Sequence, residues 1–296
     1  FLILKENGYQ KRMPEIFQVK LKEDKVNFYQ KENTQKIVLI GDSHAGSLEF
    51  NLNKEINNNH FSLFRFPTGM YLKDFNYINR KTKKINKNFI KNNIRIEKFL
   101  KDNSDLIVII NQRWSMRFLE TYFDNEEGYK MNSNSITPNY LEPNNIKTSF
   151  LYERKKYIKE SLIAQIKNII NQGHKLILVY PVPEMGFNVP KQLKNNYVKD
   201  KFFYTQTQLP ILTGSYEVYK KRNKLIFEIL DSVQSQNIYR VYPHKLFCNK
   251  QIESRCVAND DENIFYYDDD HLSIQGSKFV VDEIMKEIEK IELKSN

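Results

Sequence analysis

Three residues from opposite ends of the chain have the types and spacing of a serine-based acyl-transfer site. Ser43 lies in a GDSH motif at residues 41–44, and Asp268 and His271 lie in a DDDHLS motif at residues 268–273. A serine hydroxyl is a poor nucleophile at neutral pH unless an imidazole takes its proton and a carboxylate fixes the tautomer of that imidazole. The sequence therefore predicts Ser43 as nucleophile, His271 as its base and Asp268 as the residue that orients the base.

Neighbouring residues of the same types leave some alternatives open. Ser43 could instead cap a helix, since serine is a good N-cap. Spacing selects Asp268 among three consecutive aspartates, and Asp269 and Asp270 are then solvated or, as the less favoured interpretation, ligands of a cation. His44 is expected to line or cap the site without acting as the base. Because further ligands are missing, we expect no metal at this site.

Apolar strands alternating with amphipathic helices must position these residues. The strand candidates cover residues 36–40, 61–66, 106–110, 175–180 and 238–241. This alternation predicts an α/β fold, a three-layer α/β/α sandwich around a flavodoxin-like parallel five-stranded sheet with strand order 2-1-3-4-5. The first strand breaks directly into the GDSH motif, so Ser43 should lie at the carboxyl edge of the sheet, where open α/β folds place their sites.

Two long segments, residues 115–149 and 181–214, fit no regular element in the sequence. Loops of this length in a compact domain are typical of lids, binding loops or disordered insertions, and both follow the carboxyl ends of predicted strands. We expect them to border Ser43. Aromatic residues in or beside them, among them Trp114 and Phe187, suit stacking on sugar rings, although ordinary packing explains aromatic residues equally well.

Composition and charge bound the domain organisation and the partners. Hydrophobic residues make up 40% of the 296 residues, enough for one large core, so we expect one domain over residues 36–296 and a linker or N-terminal extension over residues 1–35. Lys and Arg exceed Asp and Glu by 46 to 36, but the excess is dispersed lysine without a nucleic-acid-binding motif. Nucleic acid is therefore not an expected partner.

The chain holds no apolar run long enough for a membrane span and begins at Phe1, so we expect it to be a piece of a longer protein.

The order of the motifs resembles a known superfamily. The GDSH motif after the first strand, and DxxHLS with Gly276 before the last helix, resemble the SGNH (GDSL-like) hydrolases. Three further features are similar to one branch of that superfamily: IINQRW at 109–114, YPVPEMGF at 180–187, and the cysteines at 248 and 256. This branch is the SGNH domain at the carboxyl end of membrane-bound O-acyltransferases that act on bacterial surface polysaccharides.

The resemblance implies donors for an oxyanion hole, which acyl transfer needs to stabilise the charge on the carbonyl oxygen. It implies the Ser43 backbone N–H first and Gly69 second. The usual third donor is an asparagine in a Gly-x-Asn-Asp block after the third strand, and here that pattern is broken. Arg113 stands where the asparagine would be, so the expectation falls on Arg113, with Asn111 as the alternative.

The resemblance also implies a disulfide, a location and an activity. It implies that Cys248 and Cys256 form a disulfide, with two free thiols as the alternative. It implies an SGNH hydrolase fold in an extracytoplasmic, periplasmic domain, tethered to the inner membrane by a membrane acyltransferase domain of the same chain. The implied activity is O-acetyl transfer through an acyl-serine to a hydroxyl of a surface glycan such as lipopolysaccharide, capsule or peptidoglycan. This part of the chain would bind no cofactor, and acetyl-CoA would be the donor used by the membrane domain. Open alternatives are a carbohydrate O-acetylesterase and a glycan-binding module with a vestigial site.

Overall fold

A twisted parallel sheet forms the centre of the protein. The computed structural model describes residues 27–29, 34–58, 61–129, 136–144, 146–148, 150–200 and 209–295. The five parallel strands are β2 (Gln35–Gly41), β3 (Phe61–Pro67), β5 (Ile107–Ile110), β7 (Lys175–Val179) and β9 (Ile238–Val241). They follow the order β3-β2-β5-β7-β9 across the sheet. The predicted flavodoxin-like order 2-1-3-4-5 is thereby confirmed.

One edge of this sheet carries an additional strand. β1 (Asn27–Tyr29) pairs antiparallel with β3, which makes the sheet six-stranded. This strand lies within the segment 1–35, for which the sequence predicts a linker or an extension. Residues 1–26 and 30–33 of that segment lie outside the described residues.

Helices cover both faces of the sheet. They are α1 (Ser43–Asn58), α2 (Lys87–Asp102), α3 (Trp114–Leu119), α4 (Leu151–Asn171), α5 (Val189–Asp200), α6 (Tyr216–Asp231), α7 (His244–Phe247) and α8 (Ile274–Ser295). Among the helices in the described ranges, none combines the length and apolarity that a bilayer crossing requires.

The alternation of side chains along the central strands divides the core into two layers. In β2, Ile37 and Leu39 pack in one buried cluster with residues of α1 and α8, whereas Val38 and Ile40 pack in the other with residues of α2, α4 and α6. Successive side chains of a strand point to opposite faces, so a strand covered on both sides must be apolar throughout. This explains the uninterrupted apolar runs from which the strands are predicted.

The prediction that residues 115–149 and 181–214 hold no regular element is wrong. The first segment contains most of α3 and also β6 (Asn139–Pro143), which pairs antiparallel with β4 (Phe75–Asn79). The second contains α5 and the start of β8 (Thr213–Ser215), which pairs with β10 (Arg255–Val257). Both strand pairs join segments that are far apart in the sequence, so local periodicity carries little sign of them.

Cys248 and Cys256 form the disulfide implied by the family resemblance. The bond joins the carboxyl end of α7 to β10, and both residues are buried. The chain then runs from β10 to the motif that holds Asp268. The disulfide therefore holds the start of the segment that leads to the predicted site.

Removing this disulfide is expected to destabilise the domain. The chain-entropy model for a loop of this size predicts a loss of about 2–3 kcal/mol in the free energy of unfolding. That loss corresponds to a melting temperature lower by roughly 3–5 °C for a domain of this size. Thermal unfolding of the Cys248→Ala/Cys256→Ala variant and of the reduced wild-type protein checks this, since the second measurement separates loss of the bond from the change of residue. Equal melting temperatures for oxidised and reduced protein would contradict it.

Candidate active site

The turn between β2 and α1 places Ser43 at the carboxyl edge of the sheet. Gly41 has φ +148, and a Cβ atom at this position would lie 1.7 Å from the backbone oxygen of Asn111. Only glycine fits such a close approach of two backbones. The chain can therefore turn sharply after β2, and α1 begins at Ser43, which is exposed.

A buried arginine braces this turn. The guanidinium of Arg65, in β3, donates hydrogen bonds to the carbonyl oxygens of Leu39 at 3.3 Å, Gly41 at 3.0 Å, Asp42 at 2.8 Å and Phe66 at 2.8 Å. These bonds give the buried guanidinium the partners it needs, and they join the carboxyl end of β2 and the turn after it to β3. The sequence analysis missed Arg65, whose signal is a single charged residue inside the apolar strand FSLFRFP.

Asp268 builds the loop that carries His271 and also contacts its ring. One carboxylate oxygen accepts hydrogen bonds from the backbone N–H groups of Asp270 at 3.1 Å and His271 at 2.8 Å. The other oxygen lies 2.8 Å from His271 Nδ1. The spacing of three residues thus lets one side chain close the turn and orient the imidazole.

The start of α8 anchors the histidine loop from the other side. The Ser273 hydroxyl accepts a hydrogen bond from the Gly276 N–H at 3.1 Å and donates one to the Ile264 carbonyl at 2.6 Å. A Cβ atom at Gly276 would lie 2.1 Å from the backbone oxygen of Phe265. Serine and glycine in this motif therefore hold the helix against the segment that precedes the loop.

The structure brings together the three residues predicted to carry the chemistry. His271 Nε2 lies 2.6 Å from Ser43 Oγ, and His271 Nδ1 lies 2.8 Å from Asp268 Oδ2. The base is thus within hydrogen-bond reach of the nucleophile on one side and of a carboxylate on the other, as the chemistry requires. Ser43 also lies at the N-terminus of α1, where the partial positive charge of the helix favours a developing anion.

Asp270 is placed differently from the sequence expectation. Its side chain is only 1% exposed, and Oδ2 lies 2.9 Å from His44 Nε2 and 3.0 Å from Arg113 Nη1. The expectation of a solvated Asp270 is therefore wrong, because two polar partners from other segments bury it. His44 lines the site, as the sequence predicts.

The ionisation of these groups follows from their neighbours. Burial lowers the pKa of His271, but the hydrogen bonds and negative charges of Asp268 and Asp270 outweigh burial and raise the pKa to about 10. Burial also raises the pKa of Asp270, yet its contacts with His271 and His44 and the charge of Arg113 hold that pKa well below the usual range. Burial and the adjacent carboxylates raise the pKa of Asp269 to about 6.

The same groups have the composition of a possible cation site. One ligand atom each of His44, Asp270 and His271 lie within 4.8 Å of one another, as do the carboxylates of Asp268, Asp269 and Asp270. His44, Asp268, Asp270 and His271 already make hydrogen bonds within the protein. A cation bound to His44 Nε2 or His271 Nδ1 would have to displace those contacts.

The two expected side-chain oxyanion donors, Arg113 and Asn111, have different surroundings. The Arg113 guanidinium contacts the carboxylates of Glu184 and Asp270, and its backbone N–H bonds the carboxylate of Asp42 at 3.1 Å. Its charge is therefore already shared between two buried anions. Asn111 is fully buried, and within the described part of the chain its side-chain amide has no hydrogen-bond partner. The backbone donors are thus the better candidates.

Gly69, the second expected backbone donor, lies in the loop after β3. This loop is joined to the nucleophile turn by a 2.9 Å hydrogen bond from the Thr68 N–H to the Gly41 carbonyl. The guanidinium carbon of Arg117 lies 4.0 Å from where a Cβ of Gly69 would stand, and Arg117 Nε lies 3.8 Å from Asp42 Oδ2. Arg117 is a cation beside the nucleophile turn that the sequence analysis missed, and no motif marks it.

The structure contradicts a stacking role for Trp114 on sugar. Its side chain is 1% exposed, and Nε1 donates a hydrogen bond to the Val179 carbonyl at 2.9 Å. Phe187 is 9% exposed and packs with its ring centroid 5.1 Å from that of Tyr129. Both residues are therefore chiefly parts of the packed interior, the alternative that the sequence analysis left open.

The segment 180–187 contributes a residue to the site that sequence reasoning did not assign. Glu184 pairs with Arg113 and, at 3.3 Å, with Arg222 Nε of α6. The following backbone borders the DDDH loop, because the N–H groups of Met185 and Val189 bond the carbonyls of residues 269 and 268. The YPVPEMGF stretch, which resembles the family, is thus hydrogen-bonded to the DDDH loop.

Comparison with known proteins identifies the family. A family model described as "SGNH domain (fused to AT3 domains)" matches residues 15–286. The fold is similar to the periplasmic domain of a lipopolysaccharide acetyltransferase of Salmonella ser. Paratyphi A, with 19% identity, a TM-score of 0.56, and coverage of 87% of this chain and 85% of that one. At this identity the likeness shows a shared fold. No curated protein sequence matches the chain.

Two more distant structures also align with most of the chain. A putative acylhydrolase of Bacteroides fragilis has 11% identity and a TM-score of 0.43, covering 88% of this chain and 89% of its own. The C-terminal catalytic domain of peptidoglycan O-acetyltransferase A of Streptococcus pneumoniae has 15% identity and a TM-score of 0.32, covering 88% and 95%. The family assignment rests on the match over residues 15–286, which spans most of the chain. By that match, this chain belongs to the family of SGNH domains that are fused to AT3 domains.

Proposed function

We propose that this domain transfers an acetyl group through Ser43 to a hydroxyl of a surface glycan. The observation that carries the proposal is the unbroken series of contacts from Ser43 Oγ to His271 Nε2 at 2.6 Å, and from His271 Nδ1 to Asp268 Oδ2 at 2.8 Å. A module with a vestigial site has no need to keep this geometry. The family membership and the fold shared with a lipopolysaccharide acetyltransferase domain support transfer to a polysaccharide.

The reaction has two steps, acylation of Ser43 and transfer of the acyl group to the glycan. In the first, Ser43 Oγ attacks the acetyl carbonyl carbon while His271 Nε2 takes the hydroxyl proton, and the oxyanion collapses as the donor leaves with that proton. In the second, His271 takes the proton of a glycan hydroxyl, whose oxygen attacks the acyl-serine, and Ser43 leaves and regains the proton. Asp268 keeps the proton on Nδ1 in both halves and stabilises the imidazolium. The Ser43 N–H and Gly69 are the proposed oxyanion donors.

The donor and the location follow from the fused membrane domain. We expect an AT3 domain of the same protein to supply the acetyl group from acetyl-CoA and to tether this domain on the periplasmic side of the inner membrane. This domain itself would then bind no cofactor. Its acceptor is a polysaccharide such as lipopolysaccharide, capsule or peptidoglycan.

One observation favours a second candidate, a carbohydrate O-acetylesterase. Ser43 is exposed, so water has access to an acyl group carried on its hydroxyl. Hydrolysis and transfer share every step up to the acyl-serine and differ only in the second nucleophile. The activity is therefore hydrolysis if water removes the acyl group from Ser43 faster, and transfer if a glycan hydroxyl does.

We expect the isolated domain to be a slow esterase that an acceptor glycan accelerates. With a small activated acetyl ester in buffer, turnover should stay well below the ~10 s⁻¹ median of enzymes, since a transferase must keep its intermediate until the acceptor arrives. A de-O-acetylated polysaccharide should speed acyl release and itself become acetylated. Burst and steady-state kinetics, with intact-protein mass spectrometry of acyl-Ser43, measure both effects.

A fully methylated form of the same polysaccharide is the matched control, because it lacks acceptor hydroxyls. Acceleration by the methylated form would exclude transfer as the cause. Fast turnover in plain buffer, together with removal of native acetyl groups from a polysaccharide, would establish the esterase instead. Acetyl-CoA is expected not to acylate this domain on its own.

A further inference from the structure

A second carboxylate lies beside the ring nitrogen of His271 that contacts Asp268. Asp270 Oδ1 is 3.1 Å from His271 Nδ1, compared with 2.8 Å for Asp268 Oδ2. The environments of the two carboxylates differ, since the Asp268 side chain is 25% exposed and that of Asp270 is 1% exposed. Charges interact more strongly where water is excluded. Asp270 Oδ1 makes no hydrogen bond within the described residues, so Asp270 acts on the imidazole through its buried charge, whereas Asp268 also accepts a hydrogen bond.

Partners from three other segments hold Asp270 in place. His44 in the first turn of α1 contacts Oδ2 at 2.9 Å, and Arg113 before α3 contacts it at 3.0 Å. Arg113 is itself paired with the carboxylate of Glu184. These contacts favour the anionic form of Asp270. They also divide its charge among several partners.

The remaining neighbours of the imidazole are neutral or aromatic. The Tyr267 ring stacks on it with centroids 5.2 Å apart and planes 15° apart, and the His44 ring centroid lies at 5.2 Å. The Ser43 hydroxyl contacts Nε2. The anionic groups in direct contact with the imidazole, among the described residues, are thus the carboxylates of Asp268 and Asp270.

We propose that Asp270 is a second positioning residue for the base: with Asp268 it holds the proton on His271 Nδ1 and stabilises the imidazolium, while His44 and Arg113 limit how much of its charge reaches His271. The inference rests on the proposed function for the role of His271 as a base. It adds that a buried network, and not Asp268 alone, sets the proton affinity of that base.

A base with two carboxylate partners has a defined pH dependence. Both carboxylates favour the protonated imidazole, and together they raise the pKa of His271 to about 10. Only the neutral imidazole can accept the Ser43 proton, so the wild-type rate should rise about tenfold per pH unit from neutral pH upwards. Removing either carboxylate lowers the pKa of His271, so the rise of the rate with pH moves to lower pH.

The test compares Asp270→Asn with the matched control Asp269→Asn. NMR titration of the histidine side chains measures the pKa of His271 directly, and its signal is assigned by its absence in His271→Gln. We expect the pKa to fall by about 1 unit or more in Asp270→Asn and to stay at the wild-type value in Asp269→Asn. The rising part of the pH–rate profile for ester hydrolysis should also move to lower pH. Equal His271 pKa values in the two variants would overturn the proposal.

Asp268→Asn keeps the test decisive if Asp270→Asn does not fold, because Asp268 is the more exposed carboxylate. With Asp268 neutralised, the pKa of His271 should stay well above its ordinary value of ~6.5. A fall to that ordinary value would mean that Asp270 contributes nothing. The NMR readout does not depend on turnover. Failure of Ser43 to become acylated would therefore count against the proposed function alone, and an unchanged titration against this inference alone.

Discussion

Ser43→Ala is expected to lower the rate of acetyl-ester cleavage by more than ~10³-fold, because no acyl-enzyme can form without the hydroxyl. Labelling by phosphonylating serine-hydrolase probes should disappear as well. The Ser43 side chain is exposed and its backbone begins α1, so the substitution leaves no cavity and puts a good helix former at the helix start. The melting temperature should therefore stay near that of the wild-type protein. Probe labelling with intact-mass detection and a thermal melt measure the two properties on the same sample.

Ser47→Ala provides the matched control for this experiment. Ser47 lies one turn further along α1, and its hydroxyl donates a hydrogen bond to the Ser43 carbonyl at 3.1 Å. We expect it to keep labelling and turnover. Full labelling of the Ser43→Ala variant would show that another residue is the nucleophile.

Asp268→Asn is expected to lower the esterase rate by roughly 10²- to 10⁴-fold. The amide can still accept the two backbone hydrogen bonds that close the turn, but its NH₂ group cannot accept the proton of His271 Nδ1. The imidazole then loses the carboxylate that accepts a hydrogen bond from Nδ1 at 2.8 Å, and the charge of Asp270, 3.1 Å away, replaces that bond only in part. The steady-state kcat on an activated acetyl ester measures the loss, and circular dichroism checks that the turn and fold persist.

Asp269→Asn serves as the control for charge in the same loop. The Asp269 carboxylate is kept at a pKa of about 6 by burial and by its aspartate neighbours. A carboxyl with a raised pKa destabilises the folded protein once it ionises, so this variant should be more stable than wild type above pH ~6 and no more stable well below pH ~4. Its rate should change little. A loss as large as that of Asp268→Asn would contradict the assignment of Asp268.

The sequence predicts the sheet well for a simple reason. Each central strand is buried on both faces, so the run Ile37 to Ile40 is uniformly apolar and ends where the chain must turn. The GDSH and DDDHLS motifs also carry their own local geometry. Gly41 and Gly276 are fixed by backbone approaches that leave no room for a side chain. Such constraints are visible in residue type alone.

The sequence fails where partners come from distant parts of the chain. Asp270 reads as one more acidic residue in a polar loop, and only the fold supplies His44 and Arg113 to bury it. Trp114 reads as an exposed aromatic after a strand, yet α3 turns it into the core, where it meets the Val179 carbonyl. Both outcomes depend on tertiary contacts that no local pattern records.

The contact between α1 and α8 joins the two segments that carry Ser43 and His271. Ser43 begins one helix and His271 lies just before the other, and Asn51 of α1 bonds the Ile274 carbonyl at 2.7 Å and the Ser277 hydroxyl at 2.8 Å. Nucleophile and base are thereby clamped to one side of the sheet. β6 pairs with β4 instead. Substitutions in that strand pair would leave the hydrogen bonds of Asn51 intact, so the relative position of Ser43 and His271 can persist while other parts of the domain diverge in sequence.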